Sequence, residues 1–420
     1  MAGCLDNLAH TGAPRSSCTP YAMVSQIQTI TIQAGKGHMS TSSALPELQA
    51  DTFPMLIVAA VVKAPGSPFL LEKVQLQAPR ADEILVRLVA TGMCHTDLAA
   101  RSGELPTPLP VVLGHEGAGV VEQVGSSVTS LVPGDHVVLA YLSCGDCDAC
   151  QSGESASCVN LGSLCFAGAR PDGSHALCSH NGEALNDRFF GQSSFAPYAV
   201  AHERCAVKVR KDAPLELLGP LGCGVMTGAG VVWNALKVTP GSSFAVYGAG
   251  AVGLSALMAA KVAGATKLIC IDRVASRLEL ARKLGATHVI DASAADVLAE
   301  VQAAAQQGVD GALDTTGRPE VISLALRGLA QRGKLATVAI SADSSSQPID
   351  LIDLIMGCKT LMGVVEGGGN ARTNISRIID LHMEGRFPFD ELTKFYPIEL
   401  INEAAEDSLS GRVIKPILRF

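Results

Sequence analysis

A chain of 420 residues with a formal charge of −8 and no cluster of Lys or Arg excludes a nucleic-acid backbone as its partner. Aromatic residues at 4% likewise exclude a base-stacking surface. The length calls for two or three domains, and a hydrophobic content of 48% supplies cores for them.

Residues 1–54 are rich in Ser, Thr, Ala and Gln without sustained periodicity, and read as a disordered extension. They lack the basic start and apolar core of a secretory signal and the arginines of a mitochondrial transit peptide, so a reducing, cytoplasmic setting is expected. Cys4, His10 and Cys18 are assigned no role. The texture changes sharply at Met55, which leaves Met39 or Met55 as alternative starts.

From 55 to 225 short β runs alternate with Gly and Pro turns. "MLIVAAVV", "EILVRLVATG", "GAGVVEQVG", "GDHVVLAY" and "SFAPYAVA" predict an irregular β-rich domain. Within it lies "CGDCDACQSGESASC", with Cys144, Cys147, Cys150 and Cys158 spaced C-x2-C-x2-C-x7-C. Bridges across two-residue gaps are strained, and a redox pair needs one C-x-x-C rather than three linked cysteines and a fourth. Four thiolates suit a closed tetrahedral zinc site, which is structural because it leaves no position for substrate. The stretch carries three acids and no base, which argues against a nucleic-acid zinc module.

From 226 to 365 apolar strands ("SFAVYG", "KLICID", "THVID", "GVDGALDTTG", "GKLATVAI") alternate with helical patterns ("AVGLSALMAAKVAGA", "SRLELARKLGA"). Strand–helix alternation predicts a doubly wound parallel sheet. The most apolar stretch, "SSFAVYGAGAVGLSALMAA", is therefore read as strand, turn and helix and not as a membrane span. Its glycines Gly248, Gly250 and Gly253 stand in G-x-G-x-x-G register, and Asp272 ends the next strand. Gly248 permits the tight turn, Gly250 lets backbone approach a pyrophosphate, and Gly253 lets helix and strand pack. Asp272 would accept from ribose hydroxyls and repel a 2′-phosphate, so NAD is expected over NADP, with Arg273 next door working against that preference. Residues 366–420 add a helix ("ISRIIDLHMEG") and a closing strand ("KPILRF"), expected to return to the first domain.

An open zinc site needs three protein ligands. "ATGMCHTDL" offers Cys94, His95, Thr96 and Asp97, "VVLGHEGAG" offers His115 and Glu116, and "GPLGCGVMTGAG" offers Cys223. No one of these segments is decisive by itself.

Together they carry a resemblance. "GMCHTD", "GHEGAGVVEQVG", "PGDHVV", the four cysteines and "YGAGAVG" occur in the order found in zinc-dependent medium-chain alcohol dehydrogenases. "FFGQSSFAPYAV", "LLGPLGCGVMTGAG" and "MEGRFPFDELTKFY" are similar to the aryl-alcohol (benzyl-alcohol) branch. The likeness runs from about Met55 to Phe420. It implies a GroES-like catalytic domain and a Rossmann cofactor domain, an α/β protein overall. It implies a catalytic zinc on Cys94, His115 and Cys223, with Glu116 beneath it as an occasional ligand and Asp97 orienting a ligand. A structural zinc falls to the four clustered cysteines. Asp272 and Arg277 would hold the adenosine ribose, and Lys415 and His95 would reach the pyrophosphate. The expected reaction is hydride transfer between a primary aromatic or allylic alcohol and NAD, in a homodimer or homotetramer. Two other readings are reduction of an aldehyde or ketone in polyketide-like secondary metabolism, and a non-catalytic zinc-binding scaffold. Many family members pass the proton from the relay hydroxyl to a later histidine. Thr96 supplies the hydroxyl here, but that later position is Ala99, so the relay is expected to end at His95 or in water.

The segment 164–190 holds His175, His180, Cys165 and Cys178 at no recognised metal spacing, and is read as an insertion loop near the pocket. Phe189, Phe190 and Phe195 fit a pocket wall or a core equally well.

Overall fold

A computed structural model describes residues 53–339 and 349–420, so the reading of residues 1–52 as an extension lies outside the described residues. The strand expected at "MLIVAAVV" spans Met55–Val62 and starts with the alternating burial of a strand whose one face meets a core. It pairs antiparallel with Leu70–Leu76, in a five-stranded sheet completed by Val111–Val112, Leu177–Ser179 and Ala184–Leu185.

A second, seven-stranded sheet is built around Glu83–Gly92. This strand pairs antiparallel with Glu116–Val124, Tyr198–His202 and the C-terminal strand Lys415–Arg419. Its register fixes which residues meet. Gly92 lies opposite both Glu116 and Ile417, so the ends of two strands meet the middle of the C-terminal strand at one place in the sheet.

The third sheet is six-stranded and wholly parallel. Its order is His288–Asp291, Lys267–Asp272, Ser243–Tyr247, Val309–Asp314, Leu329–Thr337 and Thr360–Gly363. Ser243–Tyr247 is buried along its whole length, as a central strand covered by helices on both faces must be. Helices Ala251–Val262 and Ala275–Leu284 follow the first two strands of the predicted alternation. This is the β-rich unit plus doubly wound sheet expected of the sequence.

Between the two units lies helix Gly224–Gly230, buried throughout. Its glycines are needed for close approach: a Cβ at Gly228 would stand 2.0 Å from the Val252 carbonyl oxygen. The helix is thereby pressed onto Ala251–Val262, the helix that the glycine turn opens.

Candidate metal and dinucleotide site

Strand register brings the first cluster together. Cys94 follows strand Glu83–Gly92 and precedes helix His95–Ser102, while Glu116 begins the strand paired to it and His115 stands just before that strand. Cys223 caps helix Gly224–Gly230. Donor atoms of Cys94, His115, Glu116 and Cys223 all lie within 4.8 Å of one another.

Asp97 orders this cluster. It is fully buried, and its Oδ1 accepts from His115 Nδ1 at 2.9 Å and from the Gly114 amide at 3.0 Å, while Oδ2 accepts from the Cys94 amide at 2.9 Å. A carboxylate acceptor at Nδ1 fixes the proton there and leaves the Nε2 lone pair free. His115 Nε2 is buried and has no hydrogen-bond partner. Burial works against a charged His115, but Asp97 carries its pKa well above the ordinary value. A field that favours a proton at that imidazole favours a metal cation there as well. Two sulfurs, an unpartnered imidazole nitrogen and a carboxylate behind it fit the donor set of an open zinc site.

Glu116 sits under the cluster, fully buried, with Lys415 Nζ at 2.8 and 3.0 Å from its two oxygens and the Gly224 amide at 3.2 Å. Burial raises its pKa, against the pull of Lys415, to about 7. Lys415, expected at a pyrophosphate, is instead engaged by Glu116 and by the Met93 carbonyl at 3.2 Å. The reason is register: Lys415 starts the strand that pairs with Glu83–Gly92, which turns its side chain under Glu116. Thr96 Oγ1 lies 3.7 Å from Cys94 Sγ, and His95 is exposed at the start of its helix.

One wall of the cluster is aromatic. Phe190 stacks on the His115 ring at 4.4 Å and 22°, and Phe189 meets it edge-on at 5.5 Å. Phe166 packs on both phenylalanines, and Phe195 is buried against Phe69. Arg188 and Phe190 have φ of 67° and 54°, a left-handed turn that brings both rings to the histidine. That turn is anchored far away: Arg188 and Arg170 both pair with the buried Glu83. His175, His180, Cys165 and Cys178 fall in neither group of metal-compatible side chains among the described residues.

The four clustered cysteines also converge, with donor atoms within 4.8 Å of one another. Cys144 Sγ lies 3.5 Å from Cys158 Sγ and 3.9 Å from Cys150 Sγ. A disulfide needs about 2.05 Å. Tetrahedral Zn–S bonds of about 2.3 Å give S···S edges of about 3.8 Å, so the spacing is that of a metal cage.

At the glycine turn, Gly248 has φ of 100°. A Cβ at Gly253 would lie 1.9 Å from the Gly248 carbonyl oxygen, so that glycine serves packing. A Cβ at Gly250 would meet nothing within 4 Å. Its bareness serves no contact inside the protein and suits a ligand that approaches the backbone, at the start of a helix. Asp272 is locked beside the turn: Oδ2 accepts from the Ala249 amide at 2.6 Å, and Oδ1 from Arg273 and Val274 at 2.7 and 2.8 Å. Arg277 Nη1 lies 4.0 Å from Asp272.

Sequence reasoning missed Glu366, which is buried with Oε1 3.6 Å from Cys223 Sγ and Oε2 3.5 Å from Thr227 Oγ1. The signal was a lone acid inside the apolar, glycine-rich "VVEGGG".

Residues 80–211 match the alcohol dehydrogenase GroES-like domain family, and residues 251–382 match the zinc-binding dehydrogenase family. A geraniol dehydrogenase of Castellaniella defragrans is 45% identical over 364 residues, covering 86% of this chain and 97% of that one. The crystal structure of benzyl alcohol dehydrogenase from Acinetobacter calcoaceticus is 50% identical with a TM-score of 0.85, covering 87% of this chain and 99% of that one. A zinc-binding alcohol dehydrogenase domain protein from Burkholderia ambifaria is 53% identical with a TM-score of 0.86, covering 87% and 99%.

Proposed function

Since the chain belongs to the zinc-binding alcohol dehydrogenases with a GroES-like domain, we propose that it interconverts primary aromatic or allylic alcohols and their aldehydes with NAD. The observation that carries this reading is the unpartnered His115 Nε2, facing two cysteines and walled by Phe166, Phe189 and Phe190. A flat aromatic or allylic group suits such a wall, since stacked and edge-on rings add to simple burial. The relatives named for geraniol and benzyl alcohol support the same choice.

Cys94, His115 and Cys223 would hold the catalytic zinc. Cys144, Cys147, Cys150 and Cys158 would hold the structural one. When bound, zinc supplies a Lewis acid that acidifies a hydroxyl or polarises a carbonyl, and the nicotinamide supplies the two-electron couple. The protein's own contribution is placement. Asp97 fixes the tautomer and direction of His115. Lys415 pairs with Glu116 below the cluster and balances its charge, leaving Glu116 within reach as an occasional ligand. Thr96 takes up the substrate proton, and the exposed His95 or water carries it away in place of the residue at Ala99. Gly250 at the start of the helix would meet the pyrophosphate, with Gly248 shaping the turn and Gly253 letting the helix pack, while Asp272 and Arg277 would meet the ribose. The fixed Asp272 carboxylate favours NAD over NADP by repelling a 2′-phosphate.

The partner chain is a second copy of this one. Thr360–Gly363 is an edge strand, and helix Leu351–Met356 beside it leaves Leu351, Ile352, Ile355 and Met356 63 to 75% exposed. The thiols of both clusters suit a reducing cytoplasm. No helix among the described residues is long and apolar enough to cross a membrane.

The test is NAD-linked turnover against a panel of benzylic, allylic and saturated alcohols and their aldehydes, run in both directions, with zinc content measured on the same sample. Two zincs per chain and a preference for the unsaturated alcohols are expected. Saturated alcohols turned over equally well would remove the aromatic wall from the reading.

A further inference from the structure

Glu366 has no part in holding zinc, moving the proton or cradling the pyrophosphate, yet its position is strongly imposed. It opens a run of four residues, Glu366 to Gly369, with φ of 48°, 76°, 68° and 70°. A non-glycine residue in that region costs on the order of 1 kcal/mol and persists only where the surroundings dictate it. Packing dictates it here. A Cβ at Gly367 would lie 2.7 Å from the Met226 carbonyl oxygen, so the loop backbone rests directly on helix Gly224–Gly230. Asn234 Nδ2 donates to the Gly367 and Gly368 carbonyls at 3.2 and 3.0 Å, and Glu154 of the cysteine lobe accepts from the Gly369 amide at 2.9 Å. The outcome is a carboxyl driven inward and 8% exposed.

Its two contacts are both weak: Thr227 Oγ1 at 3.5 Å stands at the outer limit for a hydroxyl donor, and Cys223 Sγ at 3.6 Å offers only a thiol. A carboxyl group has room for about four donors, and buried polar groups are normally paired. The carboxyl thus has acceptor room to spare, beside Cys223 and against helix Gly224–Gly230, which itself packs on the helix that the glycine turn opens.

We propose that Glu366 is a reactant-binding residue, whose carboxyl accepts a hydrogen bond from an N–H or O–H donor on a molecule bound at this centre. The inference rests on the dehydrogenase reading. Two bound molecules bring such a donor to that place. One is the cofactor, through the primary amide of its nicotinamide. The other is an alcohol bearing a second hydroxyl.

The experiment crosses two variants with two ligand pairs on the zinc-loaded enzyme. Glu366→Gln keeps the size of the side chain. Glu366→Gly removes the carboxyl and relieves the left-handed backbone, so it folds even where the first does not. Binding of NAD+ and of 3-acetylpyridine adenine dinucleotide, which has a methyl ketone in place of the amide, is measured by calorimetry. kcat/KM is measured for 4-hydroxybenzyl and 4-methylbenzyl alcohol. If the cofactor amide is the donor, Glu366→Gly weakens NAD+ binding about tenfold or more and leaves the acetylpyridine analogue within about twofold. If the substrate hydroxyl is the donor, only 4-hydroxybenzyl alcohol suffers, by a similar factor. Equal changes within both pairs, or none, overturn the proposal. A wild-type enzyme that binds neither cofactor overturns the dehydrogenase reading itself, a result distinct from equal changes in the variants.

Discussion

Consider Asp97→Asn. The substitution keeps the shape of a fully buried side chain that receives three N–H groups: His115 Nδ1, the Gly114 amide and the Cys94 amide. Asparagine offers one oxygen and one NH2. With its oxygen towards His115, the NH2 faces the Cys94 amide, donor against donor. One buried N–H is then unsatisfied at a cost of about 1–3 kcal/mol. With the amide flipped, two donors are opposed, and Nδ1 must become an acceptor. The imidazole proton would move to Nε2, the atom that faces Cys94 and Cys223. The first orientation is therefore favoured, and the penalty falls on the backbone that carries Cys94. Removing a carboxylate that orients a ligating histidine lowers metal affinity by about 10- to 100-fold, or about 1.4–2.8 kcal/mol. The assay is competition for zinc with a graded series of chelators at fixed pH, read by metal analysis. The four-cysteine site acts as internal reference, because Asp97 touches none of its sulfurs. One zinc per chain should be lost to weaker chelators than in the wild type, and the other should not. Unchanged retention of both, or earlier loss of the cysteine-lobe metal, would refute the role given to Asp97.

Cys94→Ser should abolish turnover with little change in melting temperature, whereas Cys144→Ser should lower the melting temperature by several degrees and release the other metal; comparable unfolding of both variants contradicts that division. Glu83→Gln leaves Arg170 and Arg188 without a buried counter-charge and should destabilise by about 3–5 kcal/mol, read by denaturant titration. Burial alone would raise the Glu83 pKa, but the two arginines bring it from 4.5 to about 2. A depressed carboxylate pKa gives stability that is complete above the unfolded value and is lost as pH falls through the folded one. The wild type should therefore lose stability more steeply than Glu83→Gln between pH 4.5 and 2, and parallel curves would show that the ion pairs do not stabilise the fold. His95→Gln should slow alcohol oxidation and shift its pH profile; full turnover with an unchanged profile assigns the proton's exit to water.

What was legible in the sequence was whatever chemistry states locally. Gly248, Gly250 and Gly253 declare a turn because only glycine tolerates such backbone and such approach, and the cysteines from 144 to 158 declare a cage because their spacing is short. The open cluster was legible only as three separate segments. Their meeting depends on Gly92 lying opposite Glu116 and Ile417, and register is a property of pairing, invisible in any one strand. Lys415 shows the consequence. The resemblance places this lysine at the pyrophosphate, but its strand threads it under Glu116, where it sets the charge of the site instead of meeting a ligand. Glu83 is subtler, because its partners lie 87 and 105 residues away and hold the turn that presents Phe190 to His115. Glu366 was least legible of all. Its burial requires a left-handed backbone that no propensity predicts for glutamate, imposed by Asn234, Glu154 and the bare helix at Gly230 acting together. The residues hardest to read were thus those placed by several distant contacts at once. A position that needs so much support to hold a strained, buried acid is one where the acid itself, rather than the fold, is the more natural reason for the arrangement.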